Sequence, residues 1–127
     1  MAWIEYQPNP LRTHGNDCTV RAISKAMDIP WDEAYWLIAA EGYICKDVPS
    51  TNDVWGAALR RMGFKRHNLP QPCPDCYAVE DFAREHPEGT YILCTGSHVV
   101  ALVDGDWYDS WNSGDEVLAY CYAKEEP

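Results

Sequence analysis

The chain has 127 residues, of which 46% are hydrophobic and 24% are charged, with a formal net charge of -10 and a pI near 4.6. This composition is typical of a globular protein with its own core, and the length fits a single domain, residues 1–127. The negative charge argues against nucleic acid or an anionic membrane as a partner, and no apolar run approaches the length of a membrane-spanning helix.

The start of the chain, MAWIE, lacks the basic residues and apolar run of a secretory signal, so we expect a cytoplasmic protein with reduced thiols. Six cysteines in a chain of this size do not by themselves indicate a disulfide framework.

Taken in chain order, the sequence predicts mainly helices in its first half and mainly strands in its second half, which is an α+β arrangement with an antiparallel sheet. Trp3, Ile4 and Tyr6 fit a short edge strand. The predicted helices run from Cys18 to near 28–30, over 31–41, from a cap at Ser50, Thr51 or Asn52 to Met62, and over 79–85. The other predicted strands are 64–69, 91–94, 97–103, 106–111 and 117–122, and the proline-rich segment 70–75 is expected to be irregular. Gly42 and Gly63 are expected to end the second and third helices.

Three of these helices show an apolar face at helical spacing, and in the first it consists of Val20, Ile23 and Met27 with Ala22 and Ala26. The inward residues predicted for the second helix are Ala34, Leu37 and Ile38. Those predicted for the third are Val54, Trp55, Ala58, Leu59 and Met62.

The most informative stretch is 96–111, which reads GSHVVALVDGDWYDSW. Its Asp104-Gly105 pair is typical of a two-residue hairpin turn, because glycine tolerates the positive φ that this turn requires. The resulting register pairs Val103 with Asp106, Val100 with Asp109, and His98 with Trp111.

In this register His98, Val100, Asp109 and Trp111 share one face, where His98 and Asp109 are diagonal neighbours roughly 7 Å apart between backbones. An imidazole beside a carboxylate is half of a nucleophilic active site. A three-residue loop would instead move Asp109 to the opposite face. The alternatives are a packed strand histidine and a turn-capping aspartate, whereas Trp111 is expected in the core, where it also screens the pair from water.

The best candidate for the missing nucleophile is Cys18, because Asn16 and Asp17 are preferred helix-capping residues and an apolar helical pattern follows. A cysteine in the first turn of a helix is favoured as a thiolate by unpaired backbone N–H groups and by the helix dipole. The neighbouring carboxylate of Asp17 opposes this if it points the same way. The alternative is an ordinary buried thiol.

Four further side chains have open roles. His14 lies four residues before Cys18 and is a rival base, although it lacks an evident orienting partner. Asn16 is either a plain helix cap or a donor to an oxyanion. Cys73 and Cys76 form one CxxC motif, which is half of a zinc site only if two more ligands converge on it, and otherwise two loop thiols.

With these residues assembled, the chain resembles small papain-like cysteine peptidases. Cys18 begins a helix, His98 begins a later strand, and the sequence Asp109-Ser110-Trp111 is similar to the Asn-Ser-Trp of papain-type enzymes, with Asp in place of Asn as in bacteriocin-processing C39-type peptidases. The stretches 17–23 and 89–111 also resemble uncharacterised bacterial and phage proteins of that fold.

The resemblance implies a papain-like fold and a cysteine peptidase that cleaves a peptide or other amide bond through a catalytic triad of Cys18, His98 and Asp109. Those families carry a Gln shortly before the Cys, but Arg12 occupies roughly that position here and the only upstream Gln is Gln7. The oxyanion hole is therefore assigned to the Cys18 backbone N–H with Asn16 or Gln7. A peptide or protein substrate is expected, and neither cofactor nor metal.

Two other functions stay open at this stage. One is a peptidoglycan amidase of the NlpC/P60 type, which also carries Asp-Cys at a helix start and a histidine on a strand. The other is a binding or assembly protein that has the same fold without turnover.

Overall fold

The computed structural model describes residues 1–12, 16–69 and 76–125. Over these ranges the chain forms four helices and one six-stranded sheet, which confirms the predicted α+β class. The strands are β1 Trp3–Glu5, β2 Phe64–Asn68, β3 Thr90–Cys94, β4 Val99–Val103, β5 Asp106–Asp109 and β6 Tyr120–Lys124. The helices are α1 Cys18–Met27, α2 Trp31–Cys45, α3 Asn52–Arg61 and α4 Val79–Glu85.

The strands are arranged in the order β1-β5-β4-β3-β6-β2, and the sheet is mixed rather than purely antiparallel as predicted. The exception is β1, which pairs in parallel with β5 so that Trp3 lies beside Trp107 and Glu5 beside Asp109. A hairpin connection would force an antiparallel pair, but β1 and β5 are separated by most of the chain and either direction is available. The edge strand predicted at the N-terminus is present as β1, whereas Tyr6, which the sequence predicts to belong to it, lies just beyond its end.

The sheet is covered on both faces, which explains why β3 and β4 are apolar at nearly every position. Alternate residues point to opposite faces, so Ile92 and Ala101 pack with α1, α2 and α3, whereas Leu93 and Leu102 pack with α4. The candidate site lies at one end of the first of these layers, where α1 begins.

The hairpin between β4 and β5 has the predicted two-residue loop, with Val103 paired to Asp106. Asp104 and Gly105 have φ of 50° and 84°, as a turn with two left-handed residues requires. Val100 packs in the core layer with α4.

Helix α2 continues past Gly42, where the sequence predicts its end. A Cβ on this glycine would lie 2.8 Å from Pro49 Cγ and 3.0 Å from the Asp47 carbonyl oxygen, so the residue permits a close approach of the following segment instead of ending the helix. The predicted inner face is correct for Ala34 and Ile38, which are buried, but wrong for Leu37, which is 38% exposed.

Other predicted elements differ at their ends. Helix α3 ends at Arg61, and Met62 is only partly buried. Strand β6 begins at Tyr120, whereas Val117 makes an isolated bridge to Ala78. The predicted irregular segment 70–75 lies outside the described residues. Among the residues that are described, none of the helices has the length and apolar character needed to cross a membrane.

Candidate active site

Cys18 is the first residue of α1, and its side chain is partly buried. The N-cap residue Asp17 makes no side-chain cap to the helix. Its carboxylate instead accepts hydrogen bonds from Arg21 Nη1 at 2.8 Å and from Trp31 Nε1 at 3.0 Å. The negative charge beside the thiol is thus paired with the Arg21 guanidinium, and the first N–H groups of α1 are left without a capping carboxylate.

Asp109 ends β5 with its side chain fully buried, and its carboxylate has four hydrogen-bond donors. Oδ1 accepts from Arg21 Nη2 at 3.0 Å and from the Ser110 backbone N–H at 2.8 Å. Oδ2 accepts from His98 Nε2 at 2.6 Å and from Ser113 Oγ at 2.7 Å. Both oxygens are therefore saturated, as a buried carboxylate requires.

His98 lies between this carboxylate and the thiol, immediately before β4. The turn that presents it is fixed by Thr95, whose Oγ1 accepts the backbone N–H groups of His98 at 2.8 Å and of Ser97 at 3.1 Å. Because Nε2–H donates to Asp109, the other ring nitrogen, Nδ1, is left for Cys18.

The Trp111 ring is tilted against His98 with its centroid 5.0 Å from that of the imidazole. This contact is the predicted one, but the expected core position is wrong, because Trp111 is 44% exposed. The indole therefore covers the imidazole from the solvent side.

Charge interactions within this group shift the pKa values of all three residues. Burial alone would raise the pKa of the Cys18 thiol, but hydrogen bonding to His98, the His98 charge, the Val99 backbone N–H and the Arg21 charge together hold it below its ordinary value. Burial opposes the charged form of His98 as well, yet the hydrogen bonds to Asp109 and Cys18 raise its pKa to about 9. Burial disfavours ionised Asp109, but its hydrogen bonds from His98 and Ser113 and the nearby charges lower the pKa of this carboxyl.

The thiol and the imidazole face a cleft of about 210 Å³. One wall comes from the starts of α1 and α3, and the other from the 95–97 turn with Tyr120. Asn16 lines this cleft and is exposed. Gln7 is placed elsewhere among the described residues: it is not part of the cleft lining, and its Oε1 accepts the Asn9 backbone N–H at 3.3 Å.

Sequence reasoning missed two buried supports of the site, Arg21 and Ser113. The four-residue spacing of Asp17 and Arg21 on one helix was the available signal for the first ion pair. It also missed that Trp3 Nε1 and the Tyr6 N–H donate to the Asp109 carbonyl oxygen, at 3.1 and 2.9 Å. These bonds attach the N-terminal segment to the end of β5.

The other candidate side chains are His14, Cys73 and Cys76. His14 and Cys73 lie outside the described residues, and Cys76 is exposed. Within the described ranges, no cluster of three or more His, Cys, Asp or Glu side chains is arranged to hold a metal ion. Burial raises the pKa of the Cys94 and Cys121 thiols, to about 11 for Cys121, in contrast to Cys18.

The arrangement is chemically suited to nucleophilic attack by sulfur. A thiol of lowered pKa at a helix start, an imidazole of raised pKa beside it and a carboxyl of lowered pKa behind the imidazole match the general requirements for an activated nucleophile with an oriented base. The cleft leaves room for a substrate group at the sulfur. Comparison of the chain with protein-family models, curated proteins and solved structures found no match.

Proposed function

We propose that this protein is a papain-like thiol hydrolase that cleaves a peptide or other amide bond. The single observation that carries the proposal is the contact of His98 Nε2 with Asp109 Oδ2 at 2.6 Å, in a histidine that also interacts with a cysteine of lowered pKa. A buried structural thiol has no need of a histidine oriented by a carboxylate.

In the proposed reaction the Cys18 thiolate attacks the carbonyl carbon of the substrate and forms a tetrahedral intermediate. Protonated His98 then gives its Nδ1 proton to the leaving amine, the C–N bond breaks, and a thioester to Cys18 is left. Water attacks this thioester, His98 takes a proton from the water, and the product carboxylic acid leaves as the thiolate is restored. Asp109 holds Nε2–H throughout and stabilises the cationic ring.

The oxyanion of the intermediate is assigned to the N-terminus of α1. Cys18 is the first residue of α1, and the N–H groups of a first helical turn have no partner within the helix, so the Cys18 backbone N–H is the first proposed donor to the negative oxygen. The amide of Asn16 is the second proposed donor, because this residue is exposed in the same cleft. Gln7 is less suited, since its side-chain oxygen is engaged with Asn9.

The test is competitive alkylation of the native protein with a limiting amount of iodoacetamide at pH 7, read by peptide mass spectrometry. Cys18 is expected to be labelled before exposed Cys45, whose pKa is raised by desolvation and by Glu41. The matched variant His98→Gln is expected to remove this preference. Earlier labelling of Cys45 or Cys76 in the wild type contradicts the proposal.

Hydrolysis is then measured on a peptide library, with Cys18→Ser as the inactive control. The amidase alternative predicts release of fragments from purified peptidoglycan instead of library cleavage. These two substrates separate the two kinds of amide hydrolase.

A second candidate function, a binding or assembly protein, is favoured by the exposed apolar face of α2. Trp36 is 68% exposed, Tyr43 is 75% exposed and Ile44 is 55% exposed. Large apolar side chains exposed along one helix are typical of a protein contact when they form a continuous surface. Rapid labelling of Cys18 without turnover of any amide substrate favours this function over hydrolysis.

A further inference from the structure

A second, apolar cleft adjoins the cleft of Cys18. The two share Asn16, Thr19 and Ser50, so a chain that lies across the thiol also reaches the second cleft. The remaining lining comes from α1, α2 and the segment 48–50 and is apolar apart from one phenol: Val20, Tyr35, Ile38, Ala39, Val48 and Pro49.

The wall formed by Val48 and Pro49 is fixed in place. Pro49 packs on the bare backbone of Gly42, and the Val48 carbonyl oxygen accepts both the N–H and the Oγ1 hydroxyl of Thr51, each at 3.1 Å. Since this segment leads directly into α3, which also lines the Cys18 cleft, the two clefts have a fixed relative position.

The size and chemistry of the second cleft suit one uncharged side chain. Its volume is about 240 Å³, below the roughly 300 Å³ at which typical small-molecule sites begin. None of its lining residues in the described part of the chain carries a formal charge, so a charged group inside would lose water without gaining a partner. An aliphatic or aromatic side chain meets no such cost.

We propose that this cleft binds an apolar side chain of the substrate, close in the chain to the carbonyl that Cys18 attacks. The inference rests on the proposed function, and it narrows the substrate class to peptides with an aliphatic or aromatic residue at that position. Peptides with an acidic or basic residue there are selected against.

The test uses three acetyl-dipeptidyl acyloxymethyl ketones, with the sequences Leu-Ala, Ala-Leu and Ala-Ala, and iodoacetamide as a reagent without a side chain. In each ketone the thiolate forms a C–S bond as the carboxylate leaves. One leucine reagent is expected to label Cys18 at least about 10-fold faster than Ala-Ala, as an apolar pocket discriminates alkyl groups. Because the three reagents share one reactive group, their rate ratio is insensitive to changes in the thiol itself.

Two variants locate the effect. Val48→Asp places a charge in the wall, at a residue 59% exposed, and Ala39→Phe fills the cleft. Each is expected to bring the leucine-to-alanine rate ratio close to one. Val117→Asp is the matched control, because this valine is 45% exposed and lies outside the cleft lining, and it is expected to keep the wild-type ratio.

The outcomes distinguish this inference from the proposed function. Rates within about twofold for all three ketones, with iodoacetamide still selective for Cys18, overturn the apolar subsite alone. An unchanged preference for leucine in both Val48→Asp and Ala39→Phe overturns it too. Loss of iodoacetamide selectivity for Cys18 in the wild type overturns the proposed function itself.

Discussion

Arg21 Nη2 lies 3.0 Å from Asp109 Oδ1, and the same guanidinium holds Asp17 through Nη1 at 2.8 Å. All three side chains are almost completely buried. One fixed cation therefore joins Asp17, the residue before Cys18, to Asp109, which is hydrogen-bonded to His98. This geometry requires a planar fork with several donors, which lysine does not have.

Arg21→Lys is accordingly expected to destabilise the protein even though it keeps the charge. One of the two buried carboxylates loses its partner, and breaking a buried ion pair commonly costs about 3–5 kcal/mol. The measurement is the urea midpoint of unfolding together with the rate of Cys18 alkylation. Arg60→Lys is the control, because Arg60 is exposed on α3. Equal urea midpoints for the two variants contradict a bridging role for Arg21.

Asp109→Asn is a sharper test of the acid than Asp109→Ala. By analogy with papain-type enzymes, the sequence leads one to expect that Asn is tolerated. The four donors around Asp109 change this expectation, because an amide NH2 must face either the Arg21 and Ser110 donors or the His98 and Ser113 pair.

If the amide NH2 faces His98, it donates to Nε2, so that the ring keeps its proton on Nδ1 and cannot form the cation. If it faces Arg21, two donors oppose each other in a buried site. We therefore expect Asn to slow Cys18 alkylation nearly as much as Ala, on the order of 100-fold. Circular dichroism checks that both variants are folded, and wild-type reactivity in Asp109→Asn argues that the carboxylate charge has no role.

The pH dependence of alkylation tests whether Cys18 and His98 form an ion pair. An ordinary thiol with a pKa of about 8.5 loses roughly 75-fold in reactivity between pH 8 and pH 6, because only the thiolate reacts. The pKa of Cys18 is lowered, so its reactivity is expected to fall less over this range. Hydrolysis is expected to decline again above about pH 9, where His98 loses the proton that the leaving amine needs.

The control for this profile is His98→Gln, which removes the cation. Its alkylation profile is expected to shift to higher pH, toward that of an ordinary thiol. Rates are measured by mass spectrometry at constant ionic strength, since charge interactions are screened by salt. If the pH profile of Cys18 alkylation is the same in the wild type and in His98→Gln, Cys18 and His98 do not form an ion pair.

The proximity of His98 and Asp109 could be predicted from the sequence, because the Asp104-Gly105 turn sets the hairpin register locally. It also placed Cys18 at a helix start from local capping and periodicity. The prediction that Val100 and Asp109 share one face of the sheet was incomplete. Val100 packs with α4, whereas the Asp109 carboxylate reaches Arg21 on α1 at the end of the sheet.

Local turn and helix patterns could not predict that Arg21 and Ser113 support the carboxylate of Asp109. An arginine within a helix is normally a solvated residue, and its burial depends on Asp109, which arrives from the far end of the chain. Ser113 is likewise significant only once the carboxylate is seen beside it. The direction of β1 is also set by tertiary contacts, because short isolated strands carry no directional signal.

Gly42→Ala tests the one glycine whose role the helical pattern misassigns. In an ordinary helix interior this change stabilises by about 1 kcal/mol. Here the new methyl group would lie 2.8 Å from Pro49 Cγ and 3.0 Å from the Asp47 carbonyl oxygen, so the 47–49 segment must move. Overpacking of this kind commonly costs about 1–3 kcal/mol, and we expect a net loss of stability.

The same displacement moves the wall of the apolar cleft beside Cys18, since Pro49 is part of it. Gly42→Ala is therefore expected to lower both the urea midpoint and the leucine preference of Cys18 labelling. Ala40→Gly, on the exposed side of α2, serves as the control: it loses about 1 kcal/mol of helix propensity but leaves Pro49 in place, so the leucine preference should persist. If Gly42→Ala is more stable than the wild type and keeps the leucine preference of Cys18 labelling, the 47–49 segment moves without cost and does not hold the wall of the cleft in place.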